Sequence, residues 1–377
     1  MKRITLILLL IVSTTCSNAK VCILQGTIGK FSIVMKIDSD DNSYYGAYFY
    51  ASSKMDIDLT GVKTGGVYFL VHLKEDERTG KSDTTEKITL RKNSDKTWTG
   101  LWKNNKNKQF AITLKEVNLD TVRHPYSDLP SIKKMKKEDP LGYVRTSLLT
   151  TILDSTKVKE KYQFDYYHVS NTPISSFLVA GGMDKIASDK TNKLLLDCLI
   201  WNANAYYTCM PSRFGAYYFS IDTMFLTDHV ISVTYDVGED CGGPHPNSYN
   251  FSINVNAQTG EEYKLEDVLY LTHAKIPKEN SDEWINFRSH DYAPKLLHLM
   301  DSMHHKYMIV DTSTDQECDY SSSDRWDFVD WHFTPEGLYI SPSFPHVDAS
   351  CENPKWSYIP YDVLKKYKNP AKNISLP

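Results

Sequence analysis

Apolar and polar residues alternate in short runs over the first third of the chain, which predicts a small all-β domain from residue 22 to 118. Clusters of Gly, Asn, Asp and Ser separate the runs and are typical of tight turns. The strand-like runs cover residues 31–37, 44–50, 57–62, 67–73, 87–90 and 110–114. Short strands at this spacing favour a meander that closes into a barrel or packs as a sandwich.

The pattern breaks off between residues 119 and 140, which we interpret as a surface linker. Three X-Pro pairs and the lysine-rich segment Lys133–Lys137 lie in this stretch. Proline and dense like charge are typical of solvated connectors.

From residue 141 to 377 helical and strand periods are mixed, which predicts an α+β domain with an antiparallel sheet packed against helices. Residues 183–200 and 294–308 have helical spacing. Residues 217–237 alternate as two strands around a turn at Thr227–His229, and the second strand directs Ile231, Val233, Tyr235 and Val237 to one face. Further strands are predicted at 251–256 and 337–340, and a short helix at 264–269.

The N-terminus has the three parts of a secretory signal peptide, which we assign to residues 1–19. Lys2 and Arg3 precede a nine-residue apolar run, and Ser17-Asn18-Ala19 supplies small residues for cleavage after Ala19. The run is too short to span a membrane, and no later segment is apolar for long enough. Lipid attachment at Cys16 is the alternative. The sequence therefore predicts a periplasmic or secreted protein, or a lipoprotein tethered to the membrane.

Charge and cysteine content narrow the class of protein. Without Lys2 and Arg3, 41 basic residues face 47 acidic ones, which argues against a nucleic-acid partner. Six cysteines remain after the leader, an even number that favours disulfides in an exported chain, although their pairing stays open. The disulfide candidates are Cys22, Cys198, Cys209, Cys241, Cys318 and Cys351.

Motifs of common enzyme classes are missing, so we expect no catalytic residues, cofactor or resident metal. The chain has no G-x-S-x-G elbow, H-E-x-x-H zinc motif or phosphate-binding glycine loop. His298, Asp301 and His305 would share one helix face, but we interpret this face as polar and solvent-facing rather than metal-binding. Histidine catalysis by His245 with Asp240 lacks an identifiable nucleophile.

Two proline-shaped loops are the candidate binding residues. Gly242 and Gly243 permit unusual backbone angles, and prolines stiffen the chain beyond them. The second loop follows the strand at 337–340 and is predicted to present Phe344 and His346. Rigid exposed loops at strand ends suit recognition, although the first could equally be a wide connection fixed by a Cys241 disulfide. The candidate binding residues are Gly242, Gly243, His245, Pro246, Asn247, Pro342, Phe344, Pro345 and His346.

Several stretches in order resemble the extracytoplasmic domain shared by the RsiV-type anti-sigma factors and the non-catalytic part of PdaC-type peptidoglycan deacetylases. The similarity covers about residues 160–368, and its most specific part runs from the GG-x-H-P segment at 242–246 to the T-G-x-x-x-x-L-x-D segment at 259–267. The resemblance implies an α+β domain that binds lysozyme through loop residues. The chain lacks the deacetylase domain and the cytoplasmic anti-sigma segment, so neither activity is implied.

The leading functional hypothesis is therefore an exported bacterial protein that binds and inhibits a lysozyme-like or other peptidoglycan-cleaving enzyme, as an inhibitor or immunity protein. The alternatives are a peptidoglycan-processing hydrolase or deacetylase that uses His245 and His346, and a passive envelope module that binds cell wall through the aromatic N-terminal domain. The acidic charge suits a basic protein partner, since opposite fields speed encounter.

Overall fold

The computed structural model describes residues 21–40, 43–75, 80–212, 214–272, 274–308, 318–372 and 374–377. The predicted leader and Cys16 lie outside the described residues. Contacts divide the chain into two compact units, one of Met1–Tyr126 with Lys134–Leu148, the other of Ser127–Lys133 with Leu149–Pro377. None of the described helices is long and apolar enough to cross a membrane.

Eight antiparallel strands of the first unit form a closed barrel, so the all-β prediction is confirmed. Of the two predicted architectures, a barrel and a sandwich, the structure has the barrel. Each strand pairs with the next in sequence, and β1 pairs with β8 to close the ring. The strands are β1 (Cys22–Ile28), β2 (Phe31–Asp40), β3 (Ser43–Tyr50), β4 (Ile57–Thr64), β5 (Val67–Glu75), β6 (Ser82–Lys92), β7 (Thr97–Asn104) and β8 (Gln109–Glu116).

Large side chains fill the barrel interior. Strand alternation directs every second residue inward. The buried set includes Leu24, Ile33, Met35, Tyr48, Leu70, Ile88, Trp98, Trp102, Ile112 and Leu114. Close approach of strands requires glycine at Gly100, where a Cβ atom would lie 1.8 Å from the Thr89 carbonyl oxygen. Trp98 and Trp102, the two tryptophans of β7, are both part of this filling.

The segment interpreted as a surface linker is instead largely helical, which corrects the prediction for residues 119–140. It contains α1 (Pro130–Glu138), and α2 (Pro140–Ser147) follows at once. Leu129, Ile132 and Met135 are buried at helical spacing, while most of the neighbouring lysines remain in solvent. The dense lysines had concealed this narrow apolar stripe.

Two three-stranded antiparallel sheets and a long helix build the first half of the second unit. One sheet contains β9 (Thr151–Lys159), β10 (Tyr162–Val169) and β11 (Ser175–Gly181), and the other β12 (Ala216–Leu226), β13 (Val230–Asp240) and β14 (Asn247–Asn256). Between them runs α3 (Lys185–Cys209), which begins where the Asp184 carboxylate accepts a hydrogen bond from the Ile186 amide. The predicted helix was nine residues shorter at its C-terminal end.

Shorter helices and a third sheet complete the second unit. The helices are α4 (Leu265–Val268), α5 (Asp282–Phe287), α6 (Ala293–Met308) and α7 (Tyr361–Leu364), with a π-helical turn at Arg288–Tyr292 and 3₁₀ turns at Leu119–Thr121, Ser323–Trp326 and His346–Cys351. The third sheet contains β15 (Asp330–Phe333), β16 (Gly337–Ser341) and β17 (Tyr358–Pro360). Strands and helices in this order confirm the α+β fold.

The third sheet packs across the polar face of the second, which explains why β13 is buried on both sides. The Phe333 amide donates a hydrogen bond to the Ser232 hydroxyl, and the Asn254 side-chain amide donates one to the Trp331 carbonyl, at 3.1 and 3.0 Å. Since Ile231, Val233, Tyr235 and Val237 were predicted to share one face of this strand, Ser232 and Thr234 should face the other way. They do, but the third sheet covers that face, so both are buried as well.

Candidate functional site: two disulfide-closed loops and the groove between their bases

The first predicted loop connects β13 to β14 and is short and exposed. It spans residues 241–246, because β14 begins at Asn247. Gly242 has a φ of +84°, a conformation that favours glycine, and its amide donates to the Asp240 carboxylate over 3.3 Å. A disulfide from Cys241 to Cys209 fastens the loop to the end of α3.

The second predicted loop follows β16 and is also closed by a disulfide. It spans residues 342–352 and includes the 3₁₀ turn at His346–Cys351. The Cys318–Cys351 disulfide fastens its far end, and the Asn353 amide donates a hydrogen bond to the Ser341 hydroxyl over 3.1 Å across its base. Val347 projects from its tip with 86% of its surface exposed.

The tips of these two loops meet, although they lie about a hundred residues apart in sequence. The imidazole rings of His245 and His346 stack face to face, with ring centres 3.7 Å apart and planes 8° apart. Both side chains remain exposed, as do Gly243, Pro246 and Asn247 around them. The structure thus brings the two predicted groups of residues together into one surface.

Two residues of the predicted set serve to anchor the second loop rather than to contact a partner. Phe344 was expected to be presented to solvent, but only 9% of its surface is exposed. Its ring packs edge-on against Tyr320 at 5.3 Å, and the Arg325 guanidinium lies 5.0 Å above it. Pro342 is buried beside it. The ring of Phe344 is thus part of the hydrophobic core of the second unit, although it lies in a loop.

Four of the six disulfide candidates form disulfides, which is consistent with an extracytoplasmic protein. Cys198 is a free thiol, which corrects its place among the candidates. It lies half-buried on α3, and the Asn202 side-chain amide approaches its sulfur to 3.6 Å. Burial raises the pKa of this thiol. Cys22, half-buried at the start of β1, belongs to neither disulfide.

A polar groove of about 300 Å³ lies between the bases of the two loops. Its floor is the polar face of the second sheet and its wall is the third sheet. Ser341 and Asn353 bracket the second loop, and Asn250 follows the first. The lining residues are Asp222, Thr234, Asn250, Ser252, Asp330, His332, Tyr339, Ser341 and Asn353.

The groove perturbs the titration of two of its residues in opposite directions. Desolvation, together with the nearby Glu352 carboxylate, raises the pKa of Asp330 to about 7, although the side chain still reaches water at the groove mouth. Desolvation lowers the pKa of His332 to about 4. His332 is therefore neutral at neutral pH, and its ring packs against Tyr339 at 4.8 Å.

Sequence reasoning missed the groove residues, although one signal was present. Asp330 and His332 alternate with Trp331 and Phe333, the pattern of a strand with one polar face. That pattern could have placed the two polar side chains together. Asp222 has no comparable signal, because a register irregularity between Ile221 and Thr223 determines its position.

The candidate metal face on α6 does not assemble a metal site within the described part of the chain. His298, Asp301 and His305 line one cavity of about 480 Å³, and the His305 ring lies 2.8 Å from the Asp301 carboxylate. Across residues 21–377 with the gaps given above, no three His, Cys, Asp or Glu side chains converge as metal ligands.

The chain matches no protein-family model, and no curated protein is significantly similar to it. The resemblance to the RsiV-type and PdaC-type extracytoplasmic domain therefore stays a prediction.

Proposed function

We propose that the protein binds a peptidoglycan-cleaving enzyme, such as a lysozyme, through the surface formed by its two disulfide-closed loops, and inhibits that enzyme by covering its cleft. The observation that carries the proposal is the stacked pair of His245 and His346, which unites two exposed loop tips on fastened bases. The resemblance of residues 160–368 to a lysozyme-binding domain supplies the class of partner.

Rigidity supports a binding role for this surface. Each loop leaves a strand of the sheet core and returns under a disulfide, so little conformational freedom remains to be lost when a partner binds. The tips carry aromatic and proline groups in solvent, while Phe344 fixes the second loop from below. Such a surface can insert into a concave enzyme cleft without performing chemistry.

Electrostatics support the same partner. Cleavage of the predicted leader leaves a net charge of −6, and two carboxylates, those of Asp222 and Asp330, line the groove between the loop bases. A basic enzyme would be steered towards such a face, and the association rate would fall as salt is added.

Binding and inhibition can be measured with purified protein and a panel of lysozymes and wall hydrolases. Pull-down tests binding, and the clearing of a cell-wall suspension tests inhibition. We expect a His245→Ala/His346→Ala variant to lose at least about tenfold in affinity, which corresponds to about 1.4 kcal/mol. The matched control is His290→Ala, an exposed histidine at the α5–α6 junction that should bind as the unaltered protein does.

Absence of binding to every enzyme of the panel would reject the proposal. Sedimentation of the protein with isolated cell wall, in a manner that requires the barrel unit, would favour the envelope-module alternative instead. Wall cleavage or deacetylation by the purified protein, lost in His245→Ala, would favour the enzymatic alternative.

A further inference from the structure

Two cavities of the second unit adjoin beside α4 and α5 and together form one elongated cleft. Their volumes are about 380 and 320 Å³, each near the lower limit of small-molecule sites. Lys264, Glu266, Glu279 and Trp284 line both cavities, so the two spaces meet at these side chains. An elongated space of this size suits a chain of a few small rings better than one compact metabolite.

The cleft is lined by a carboxylate that is almost fully buried and still has an open oxygen. The Glu266 side chain is 7% exposed and forms an ion pair over 3.3 Å with Arg288, whose side chain is 4% exposed. Glu266 Oε1 accepts this contact and a hydrogen bond of 3.0 Å from the Trp284 indole N–H. The other oxygen, Oε2, accepts no hydrogen bond from the described residues and still reaches solvent. A charged acceptor in so dry a site favours a hydroxyl donor.

Two aromatic rings provide an apolar surface along the same cleft. Trp284 lines both cavities, and Phe328, which is 46% exposed, lies beside it with ring centres 5.5 Å apart. The face of an aromatic ring is electron-rich and attracts C–H groups, which carry a small positive charge. One face of a sugar ring consists of such C–H groups. The indole and the neighbouring carboxylate thus offer the two kinds of contact that a sugar requires.

The charges of the cleft are nearly balanced and largely paired with one another. Lys264 contacts the carboxylates of Glu279 and Glu262 at 2.6 and 3.5 Å. Lys372 contacts Asp267 at 3.6 Å. An ionic ligand would displace one of these partners or leave a charge unmatched, whereas hydroxyl groups can donate to and accept from groups that stay paired. The described lining residues include four basic ones, Lys264, Lys275, Arg288 and Lys372, and five acidic ones, Glu262, Glu266, Asp267, Glu279 and Asp330.

We propose that this cleft binds a neutral oligosaccharide, with one sugar ring stacked on Trp284 and a hydroxyl group of that ring donating to Glu266 Oε2. The next ring lies beside the Lys264–Glu279 ion pair, where a donor and an acceptor are both within its reach. None of the residues of the two disulfide-closed loops is among the described lining of either cavity. The site therefore adds a second kind of ligand and does not depend on the proposed enzyme partner.

Titration of the full chain with sugar trimers tests the site. The tryptophans are isotope-labelled, and the indole N–H signal of Trp284 is identified by its loss in Trp284→Phe. We expect tri-N-acetylchitotriose to shift this signal with half-saturation at about 1 mM or below, while the barrel residues Trp98 and Trp102 keep their signals.

Cellotriose, which lacks acetamido groups, distinguishes the sources of the sugar. A shift with chitotriose alone assigns the site to amino sugars of the cell-wall type, and a shift with cellotriose shows that no acetamido group is required. No shift of the Trp284 signal with either sugar, or an equal shift of the barrel tryptophans, would overturn the inference.

Two substitutions then test the contacts with the sugar that binds more tightly. Phe328→Ala removes an exposed ring and should weaken binding about fivefold. Glu266→Gln should weaken it at least about tenfold, because hydrogen bonds to a charged acceptor are roughly twice as strong as neutral ones. The control Asp189→Asn removes an exposed, ion-paired carboxylate on α3 and should bind as the unaltered protein does. The indole signal of Trp326, which is fully buried in the same unit, shows whether each variant is folded.

Unchanged affinity in a folded Glu266→Gln variant would overturn the inference even if a sugar binds, since the sugar would then lie elsewhere. The His245→Ala/His346→Ala variant should bind the sugar as the unaltered protein does, because its substitutions lie outside the cleft. Failure of sugar binding therefore leaves the enzyme-binding function standing, and failure of enzyme binding leaves the sugar site standing.

Discussion

The side chains of Asp330 and His332 show that one short strand can carry two titratable groups whose pKa values are shifted in opposite directions. They lie two residues apart on β15 and face the same groove, and desolvation favours the neutral form of each. A carboxylic acid whose pKa is raised by desolvation and an imidazole whose pKa is lowered by it affect stability in opposite directions as pH changes. Their effects therefore partly cancel in the unaltered protein, and a substitution of one should reveal the other.

Replacement of Asp330 by Asn should stabilise the protein at neutral pH but not in acid. The folded-state pKa of Asp330 is raised to about 7 from 3.8, so the folded protein binds the proton more tightly, and stability is lost as pH rises through this window. We expect the melting temperature of Asp330→Asn to equal that of the unaltered protein near pH 4. It should exceed it by at most about 2–4 °C at pH 8, because contact with water screens the effect.

Thermal melts between pH 4 and 8 measure this difference, with Asp189→Asn as the control that should show no pH-dependent gain. A melting temperature of Asp330→Asn below that of the unaltered protein at pH 8 would contradict the assigned origin of the shift.

Residue environments were the least predictable level of this protein. The exposed positions of His245 and Pro246 followed from local chemistry, since glycine and proline determine a turn within a few residues. The burial of Phe344 did not, because it depends on Tyr320 and Arg325, which arrive from another part of the chain. Local sequence specifies backbone shape better than it specifies what covers a side chain.

At the scale of elements, each candidate loop is defined by one disulfide. The Cys209–Cys241 and Cys318–Cys351 pairs are 32 and 33 residues apart in sequence. A cross-link over such a distance restricts the unfolded chain and contributes on the order of 3–4 kcal/mol in the chain-entropy model. The even number of cysteines indicated disulfides, but only the fold determined that Cys198 stays out of them.

Replacement of Cys209 and Cys241 by serine should lower the free energy of unfolding by about 3–4 kcal/mol. The loss should appear as a lower urea midpoint without a comparable change in the barrel unit, whose described contacts do not include this disulfide. The control Cys198→Ser changes a thiol outside both disulfides and should cost less than about 1.5 kcal/mol. An unchanged midpoint in the double serine variant would show that the cross-link adds nothing to stability.

The width of the apolar stripe decided which helices and strands could be predicted from the sequence. The long helices, the β12–β13 hairpin and the β16 strand were all predicted from period alone, because their apolar stripes are wide. In contrast, α1 was missed since its buried stripe of Leu129, Ile132 and Met135 is interrupted by lysines. A narrow stripe on a charged helix has too weak a period to be separated from a linker.

At the scale of the molecule, the barrel unit extends beyond its strands. Arg145 on α2 is 1% exposed and forms an ion pair with Asp56, which follows β3, and its guanidinium lies 5.1 Å above the Phe49 ring. Desolvation raises the pKa of Asp56 despite this pair. Residues 134–148 are therefore part of the first unit, although they follow seven residues that belong to the second.

A chain of residues 21–148 should accordingly be more stable than a chain of residues 21–118, which ends at the domain boundary predicted from sequence. Removal of Arg145 leaves the Asp56 carboxylate without its partner, a change that typically costs about 3–5 kcal/mol. Urea unfolding of both chains measures the difference. The variant Arg145→Met in the longer chain isolates the ion pair, and equal stability of all three would contradict the assigned role of Arg145.

The overall class of the fold was predictable, but its closure was not. Eight short strands with turns between them indicate a meander, since each hairpin is local. The pairing of Leu24 with Glu116 that closes the barrel joins the two ends of the domain and depends on twist and register. Likewise, the groove exists only because the third sheet crosses the second, a contact that no single segment encodes.

The meeting of His245 with His346 has a consequence for how such a protein can change over evolutionary time. Each loop has its own flanking strand and its own cross-link, so substitutions at one tip leave the support of the other intact. Two independently variable tips can generate many combined surfaces from few mutations, while the sheets beneath them stay constant. The same property would let a laboratory library of tip sequences be selected against new targets without redesign of the scaffold.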